Sequence, residues 1–168
     1  MITPNFSRVE FERRFLVTGA VPAATGGSML ITDRCIAGTR VYLRHVALPD
    51  RRVERRLCKH YEPEDSICAG VAIEELSEYD FAIYAHMEAM LLTRDRAMVT
   101  QRLAVDRFEG ALSGLALCEI ASAIEAEVAA FVALPWAQIE VTADPFFAPA
   151  ALAFTTPDQL RARIFGHP

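Results

Sequence analysis

The chain has 168 residues, 52% of them hydrophobic, and 17 basic against 22 acidic side chains give it a formal charge of −5. That length suggests one compact domain, here taken as 1–168, with room for a real core, and the composition excludes a disordered or low-complexity chain. A pI near 5.4 argues against broad electrostatic binding to nucleic acid or a membrane surface, although it describes only the average charge.

Period-2 alternation predicts a first strand over 8–17, with Val9, Phe11, Phe15 and Val17 opposite Glu10, Glu12 and Arg14; Arg13 interrupts its apolar side. Residues 40–46 set Arg40, Tyr42 and Arg44 against Val41 and Leu43, and 51–61 form a basic strand around Val53 and Leu57. A helix follows over about 76–91, with Ser77 as N-cap and Phe81, Tyr84, Met87 and Leu91 as a core-packing stripe. Further strands are expected over 92–100, 102–109, 115–121 and 138–143. A second helix is expected from the Ser122 and Glu125 capping box to about Leu134, before Pro135. The last opens at Thr156-Pro157-Asp158-Gln159 and ends near Phe165. Turn signals separate these pieces at Gly38, Leu48-Pro49-Asp50, Glu62-Pro63-Glu64-Asp65, Glu109-Gly110 and Ala143-Asp144-Pro145.

Many consecutive strands with few helices imply an antiparallel sheet that must hide or close its edges. Several strands carry acids and arginines together on a single parity. In a closed barrel that parity faces inward, and Glu10, Glu12, Arg14, Arg44, Arg94, Arg96, Asp106 and Glu119 would line a polar tunnel. Parity alone leaves tunnel and solvent face both open.

Common catalytic signatures are missing. The sequence has no P-loop, no dinucleotide-binding glycine motif, no H-E-x-x-H and no G-x-S-x-G. Cys35, Cys58, Cys68 and Cys118 lack metal or disulfide spacing and read as small hydrophobes in a reducing cytosol. His45, His60, His86 and His167 are scattered, and none is singled out as a base. The N-terminus reaches Glu10 and Glu12 at once, so no signal peptide is expected, and no apolar run approaches membrane-spanning length. The expectation is a cytoplasmic protein.

What remains is Glu10-Phe11-Glu12-Arg13-Arg14, which puts two carboxylates and a guanidinium on one strand face, about 7 Å apart per two residues. Hard divalent cations such as Mg²⁺ or Mn²⁺ take carboxylate oxygens and complete their shell with phosphates, and phosphates take Arg. One strand thus offers both halves of a metal–phosphate site.

The order of later pieces strengthens this. Gly38-Thr39-Arg40-Val41-Tyr42-Leu43-Arg44, then Arg56-Leu57-Cys58-Lys59-His60-Tyr61, then Arg94-Asp95-Arg96 follow the acidic strand. Next come Val105-Asp106-Arg107-Phe108-Glu109-Gly110, Leu115-Ala116-Leu117-Cys118-Glu119-Ile120-Ala121 and the closing Glu140-Val141-Thr142. In this collinear order, over about residues 8–153, the chain resembles the CYTH family of triphosphate tunnel metalloenzymes. That family includes inorganic triphosphatases, thiamine triphosphatases and class IV adenylyl cyclases.

The resemblance implies an α+β, mainly β fold: a closed eight-stranded antiparallel barrel with a few flanking helices, the last over about 157–165. It implies that Glu10, Glu12, Asp106 and Glu119 hold Mg²⁺ or Mn²⁺ and an attacking water. Arg14, Arg44, Arg56, Lys59, Arg94 and Arg96 would bind phosphate, with Arg56 and Lys59 both fitting the third strand loosely. The expected activity is metal-dependent hydrolysis of a small triphosphate or short polyphosphate by a monomer or homodimer. The alternative is a barrel that binds polyphosphate or a phosphorylated metabolite with little turnover.

Three departures bear on that choice. Arg14 stands where the family's motif has lysine. Tyr42 occupies a position where the family commonly has a second arginine. Ala121 replaces the second acid of an E-x-E strand, so Glu140 or a water would have to substitute.

Overall fold

The computed structural model describes residues 7–61 and 68–165. Nine strands run along the chain: β1 (Ser7–Leu16), β2 (Met29–Ile36), β3 (Val41–Ala47), β4 (Val53–Tyr61), β5 (Cys68–Glu75), β6 (Ala89–Met98), β7 (Leu103–Phe108), β8 (Ala116–Ser122) and β9 (Ile139–Glu140). The helices are α1 (Glu78–Tyr84), α2 (Glu125–Ala129), α3 (Pro149–Leu152) and α4 (Pro157–Phe165). The first eight strands hydrogen-bond in the order β5-β4-β3-β2-β6-β7-β8-β1, and β1 returns to β5 to close the barrel. All pairings are antiparallel.

Closure rests on β1. Its residues Ser7–Phe11 pair with β5 and Phe11–Leu16 with β8. Beyond the end of β5, the short β9 covers the edge of β1 at Phe15 and Leu16. Closure removes the open edges that a sheet of this size would otherwise present.

Two cores flank the barrel wall. Outside β1, β7 and β8, the side chains of Phe15, Leu103, Val105, Cys118 and Ile120 pack under Val128 and Ala137. Arg13 belongs to this outer face. Its guanidinium donates to the carbonyls of Val128 and Phe131 and pairs with Glu140 at 2.7 Å, which explains a charge on the apolar parity. At one end of the barrel the interior is itself apolar. Cys35, Tyr42, Cys58, Leu92, Phe108 and Leu117 pack there against Val141, Phe147, Leu152 and Leu160 from the C-terminal segment.

Several expectations are corrected. Strands β2 and β5 were not foreseen, because apolar residues lie on both parities of each. The expected helix over 76–91 stops at Tyr84, since the chain enters β6 at Ala89; Ser77 does cap it, accepting from the Asp80 amide at 3.1 Å. Its expected core stripe does not form: Tyr84, Met87 and Leu91 are exposed. Ser122 ends β8 rather than opening a helix, and α2 starts at Glu125 and ends at Ala129. The strand expected over 138–143 shrinks to Ile139–Glu140, because the chain then turns down into the barrel end. The capping box at α4 is present, with Thr156 and Gln159 exchanging side-chain to amide bonds at 2.9 and 3.2 Å. Cys35, Cys58 and Cys118 are buried free thiols. The turn at 62–65, His167 and the Cys68 side chain lie outside the described residues. Among the described residues no helix is long and apolar enough to cross a membrane.

Phe15 is 1% exposed and makes an aromatic contact with Phe131 at 5.6 Å. Phe15→Ala should therefore lower unfolding free energy by about 3–5 kcal/mol in a denaturant titration; a loss below about 1 kcal/mol would contradict this account of the outer core.

Candidate functional site

Barrel closure turns one parity of each strand inward, and the inward residues above the apolar end are charged. On β2 this parity holds Asp33, on β3 Arg44, on β4 Glu54 and Arg56, on β6 Arg94 and Arg96, on β7 Asp106, on β8 Glu119, and on β1 Glu10 and Glu12. Ten charges inside a small barrel need partners or a ligand.

Six of them form a continuous ladder. Arg44 donates twice to Asp33, from Nε at 2.7 Å and Nη2 at 2.9 Å. Arg94 bridges Asp33 at 2.8 Å and Asp106 at 3.1 Å. Arg96 grips Asp106 through two bonds of 2.6 and 2.7 Å and reaches Glu119 at 3.1 Å. Asp33 is 1% exposed, and Arg94 is 3% exposed. Burial alone would raise the Asp33 carboxyl, but Arg94 and Arg44 outweigh it and hold the group well below the usual carboxylate range. Burial opposes charge on Arg96 as well, and Glu119 and Asp106 hold it firmly protonated.

Glu12 is less well compensated. Burial, then Glu119 and Glu10, push the Glu12 carboxyl up to about 7, against the opposing pull of Arg14 and Arg96. Glu12 sits opposite Ala121 in the β1–β8 register, and Arg14 opposite Glu119. Among the described residues no group of three or more His, Cys, Asp or Glu side chains makes a ready cation site. The carboxylate oxygens of Glu10, Glu12 and Glu119, which line one cavity, nevertheless suit a hard divalent cation completed by phosphate oxygens.

These side chains surround a cavity of about 330 Å³. Arg44, Arg56, Arg94 and Arg96 line it from β3, β4 and β6, and Glu10, Glu12 and Glu119 line it from β1 and β8. Along the barrel wall the strands run β4-β3-β2-β6-β7-β8-β1, so these arginines and these glutamates occupy separate arcs, with Glu54 as the one cavity-lining acid on the basic side, paired to Arg56 at 2.6 Å. Arg44 and Arg56 stand directly opposite each other in the β3–β4 register, and carboxylates offset the like charges: Asp33 on Arg44, Glu54 and Glu75 on Arg56 at 2.6 and 2.8 Å. Each guanidinium has five N–H donors, more than the carboxylates of the ladder absorb.

Four expected residues are placed differently. Lys59 lies on the outer parity of β4, exposed, with its ammonium 5.5 Å from the Tyr61 ring; Arg56 is the cavity residue of that strand. Arg14 lines a second cavity, where it donates to the Phe147 carbonyl at 2.8 Å and pairs with Glu12 at 3.1 Å. Asp106 is buried with both oxygens taken by arginines, so it serves the ladder rather than the acidic arc. Glu140 is bound to Arg13 and Thr142 outside the barrel and does not replace the missing acid at Ala121.

Asp33 and His60 are the residues that sequence reasoning passed over. Asp33 had one usable signal: it is a lone acid between Ile31 and Cys35, on the parity that other strands reserve for inward charges. His60 shares the parity of Arg56 on β4 and lines the cavity beside it.

No protein-family model matches the chain, and neither does any curated protein. Solved structures do. A crystal structure of the inorganic triphosphatase NE1496 aligns over 94% of this chain and 98% of its own, with a TM-score of 0.55 and 22% identity. A second crystal structure of NE1496, titled there as a hypothetical protein, aligns over 88% and 99%, with a TM-score of 0.56 and 23% identity. The likeness establishes the fold: a closed eight-stranded antiparallel barrel, in agreement with the triphosphate tunnel architecture that the motif order resembled.

Asp33→Asn removes the charge that neutralises both Arg44 and Arg94, and breaking such a buried pairing should cost about 3–5 kcal/mol at neutral pH. A carboxyl whose pKa is lowered on folding contributes stability that is complete above its unfolded pKa, about 3.9, and fades as pH falls further. The gap between wild type and variant in denaturant titrations should therefore be constant from neutral pH to about pH 5 and narrow in more acidic solution. A gap independent of pH would overturn the assignment.

Proposed function

We propose that the protein is a divalent-metal-dependent hydrolase of a small triphosphate, inorganic or organic. One observation carries this reading: a cavity inside a closed barrel with arginines on one arc and carboxylates on the other. A polyphosphate is the ligand class that needs both, since its oxygens take guanidinium donors and share a cation with carboxylates. The likeness to a structure named as an inorganic triphosphatase supports the same class.

In this reading Arg44, Arg56, Arg94 and Arg96 bind the phosphoryl oxygens and neutralise the charge that builds as the bridging bond breaks. The ladder holds three of these guanidinium groups in fixed orientation before any ligand arrives. Glu12 and Glu119, with Glu10 beside them, would hold Mg²⁺ or Mn²⁺, which when bound polarises phosphate and lowers the pKa of water. Phosphoryl transfer asks mainly for position and electrostatics, so no covalent nucleophile is required.

Ala121 favours a second reading. It lines the cavity opposite Glu12 without a carboxylate, and Glu140, held by Arg13 and Thr142, does not take its place. A barrel short of one acid would bind polyphosphate with little turnover.

Phosphate release from tripolyphosphate, ATP and thiamine triphosphate in the presence of Mg²⁺ or Mn²⁺ separates the two. Hydrolysis of at least one substrate, stopped by a chelator, is the expected result. Arg96→Ala and Glu12→Gln should each lower kcat by about 100-fold or more. Stabilisation of the protein by tripolyphosphate in a thermal melt, with no release under any of these conditions, would favour the binding reading.

A further inference from the structure

The charged cavity has a floor that the hydrolytic reading leaves unused. Along β3, inward residues alternate between Tyr42 and Arg44, and the β3–β4 register sets Tyr42 opposite Cys58 and Arg44 opposite Arg56. Tyr42 thus belongs to the layer directly beneath the arginines. It is 8% exposed. The Arg44 guanidinium lies 5.0 Å from the centre of its ring, and the His60 imidazole stacks on it at 5.2 Å with 21° between the planes. The ring is therefore held from two sides, by a cation nearer the charged layer and by an imidazole farther from it.

Glu12, Tyr42, His60 and Pro149 each line two cavities. One is the charged cavity. The other, of about 240 Å³, has Ile36, Val41, Pro149 and Phe154 in its wall. Residues shared in this way form a partition. The partition carries the two stacked rings and, beside them, the Glu12 carboxylate, and it offers no cation of its own: burial, then Arg44 and Arg14, lower the His60 pKa. A phosphoryl chain pushed past it would meet the stacked rings and the Glu12 carboxylate and leave four arginines for a cavity whose two, Arg14 and Arg40, share their wall with Glu12 and Asp33, which is costly for an anion.

We propose that the Tyr42–His60 stack, with Pro149, is an end stop against which a free terminal phosphoryl group seats, so that the cavity excludes triphosphates esterified at both ends. The inference rests on the triphosphate reading and adds a specificity rule to it. A chain with one free end enters that end first and keeps any ester group in the mouth. A chain with two ester groups must press one of them against the stacked rings, where no room exists for it. Tyr42 and His60 act here on ligand shape, through the wall they form, and not on the reacting atoms.

The test compares tripolyphosphate with a dinucleoside triphosphate, in which both ends are esterified. The wild-type protein should hydrolyse the first and give less than about 1% of that kcat/KM with the second. Tyr42→Ala combined with His60→Ala joins the two cavities and should raise the ratio of doubly esterified to free triphosphate kcat/KM at least about tenfold. Tyr42→Phe keeps the stacked ring and should leave the ratio unchanged. Circular dichroism and a thermal melt with tripolyphosphate establish that each variant folds and still binds phosphate. If the double variant does not fold, His60→Ala alone serves, with the same expected direction. Comparable wild-type use of both substrates, or an unchanged ratio in a folded wall variant, overturns the end stop while leaving the triphosphatase reading intact. If wild type neither binds nor hydrolyses tripolyphosphate, the functional reading itself fails and the end stop falls with it.

Discussion

The ladder Arg44–Asp33–Arg94–Asp106–Arg96–Glu119 is the interaction on which the rest of this barrel depends. Five strands contribute to it, and each charge within it touches the opposite sign. A charge buried alone would cost several kcal/mol, roughly enough to unfold a marginal domain. Pairing removes most of that cost, but paired arginines also become rigid. Their orientation is set by carboxylates on neighbouring strands rather than by a ligand. A site that must stabilise charge during phosphoryl transfer gains from donors already in place, since no reorganisation is then needed. Stability and preorganisation share one set of bonds.

The ladder also explains the layering. Charges occupy the middle of the barrel and need a dry, closed floor, which the C-terminal segment supplies with Val141, Phe147, Leu152 and Leu160. Arg14 ties that floor to the acidic arc, because one guanidinium reaches both the Phe147 carbonyl and Glu12. A lysine ammonium is a compact point charge and lacks the planar fork that spans two directions. Arginine at position 14 is therefore a different device from the lysine of the family motif: it anchors the floor.

Much of this was legible in the sequence because inward charges on alternating strands are hard to produce by chance in the same order as a known barrel. Glu10, Glu12, Glu119, Arg44, Arg56, Arg94 and Arg96 reach one cavity because parity carries them there. Parity also shows what motif matching could not decide: Arg56 and Lys59 differ by three positions, so they point to opposite faces of β4. Strand β2 escaped notice because its inward face reads Ile31, Asp33, Cys35 while its outward face carries Leu30 and Ile36. Both faces mix apolar and polar residues, with Thr32 and Arg34 outward and Asp33 inward, so neither stands out as the polar one, yet Asp33 is the acid that joins two arginines. The shortened helices have a common cause. Ser77 marks a helix start correctly as a polar cap residue, whereas Ser122 closes β8 and α2 begins after Ile124; how far a helix runs is decided by where the next strand must join the barrel.

Tyr42 shows how a departure from a motif acquires its own role. Read against a second arginine at that position, tyrosine is a lost phosphate contact. In the barrel it lies one layer below the ligand cavity, with Arg44 on one side and His60 on the other. A further cation there would face Arg44 and the apolar floor with no acid of the ladder assigned to it, an expensive burial. Tyrosine instead offers a flat apolar surface that holds Arg44 through its ring electrons. The net charge of −5 is thus the sum of a molecule that sorts its signs. A basic arc and an acidic arc face one another across a cavity of about 330 Å³, and the neutral Tyr42 ring lies in the layer beneath them. An average pI could not show this, since opposite arcs cancel in the sum while each remains available to its own part of a ligand.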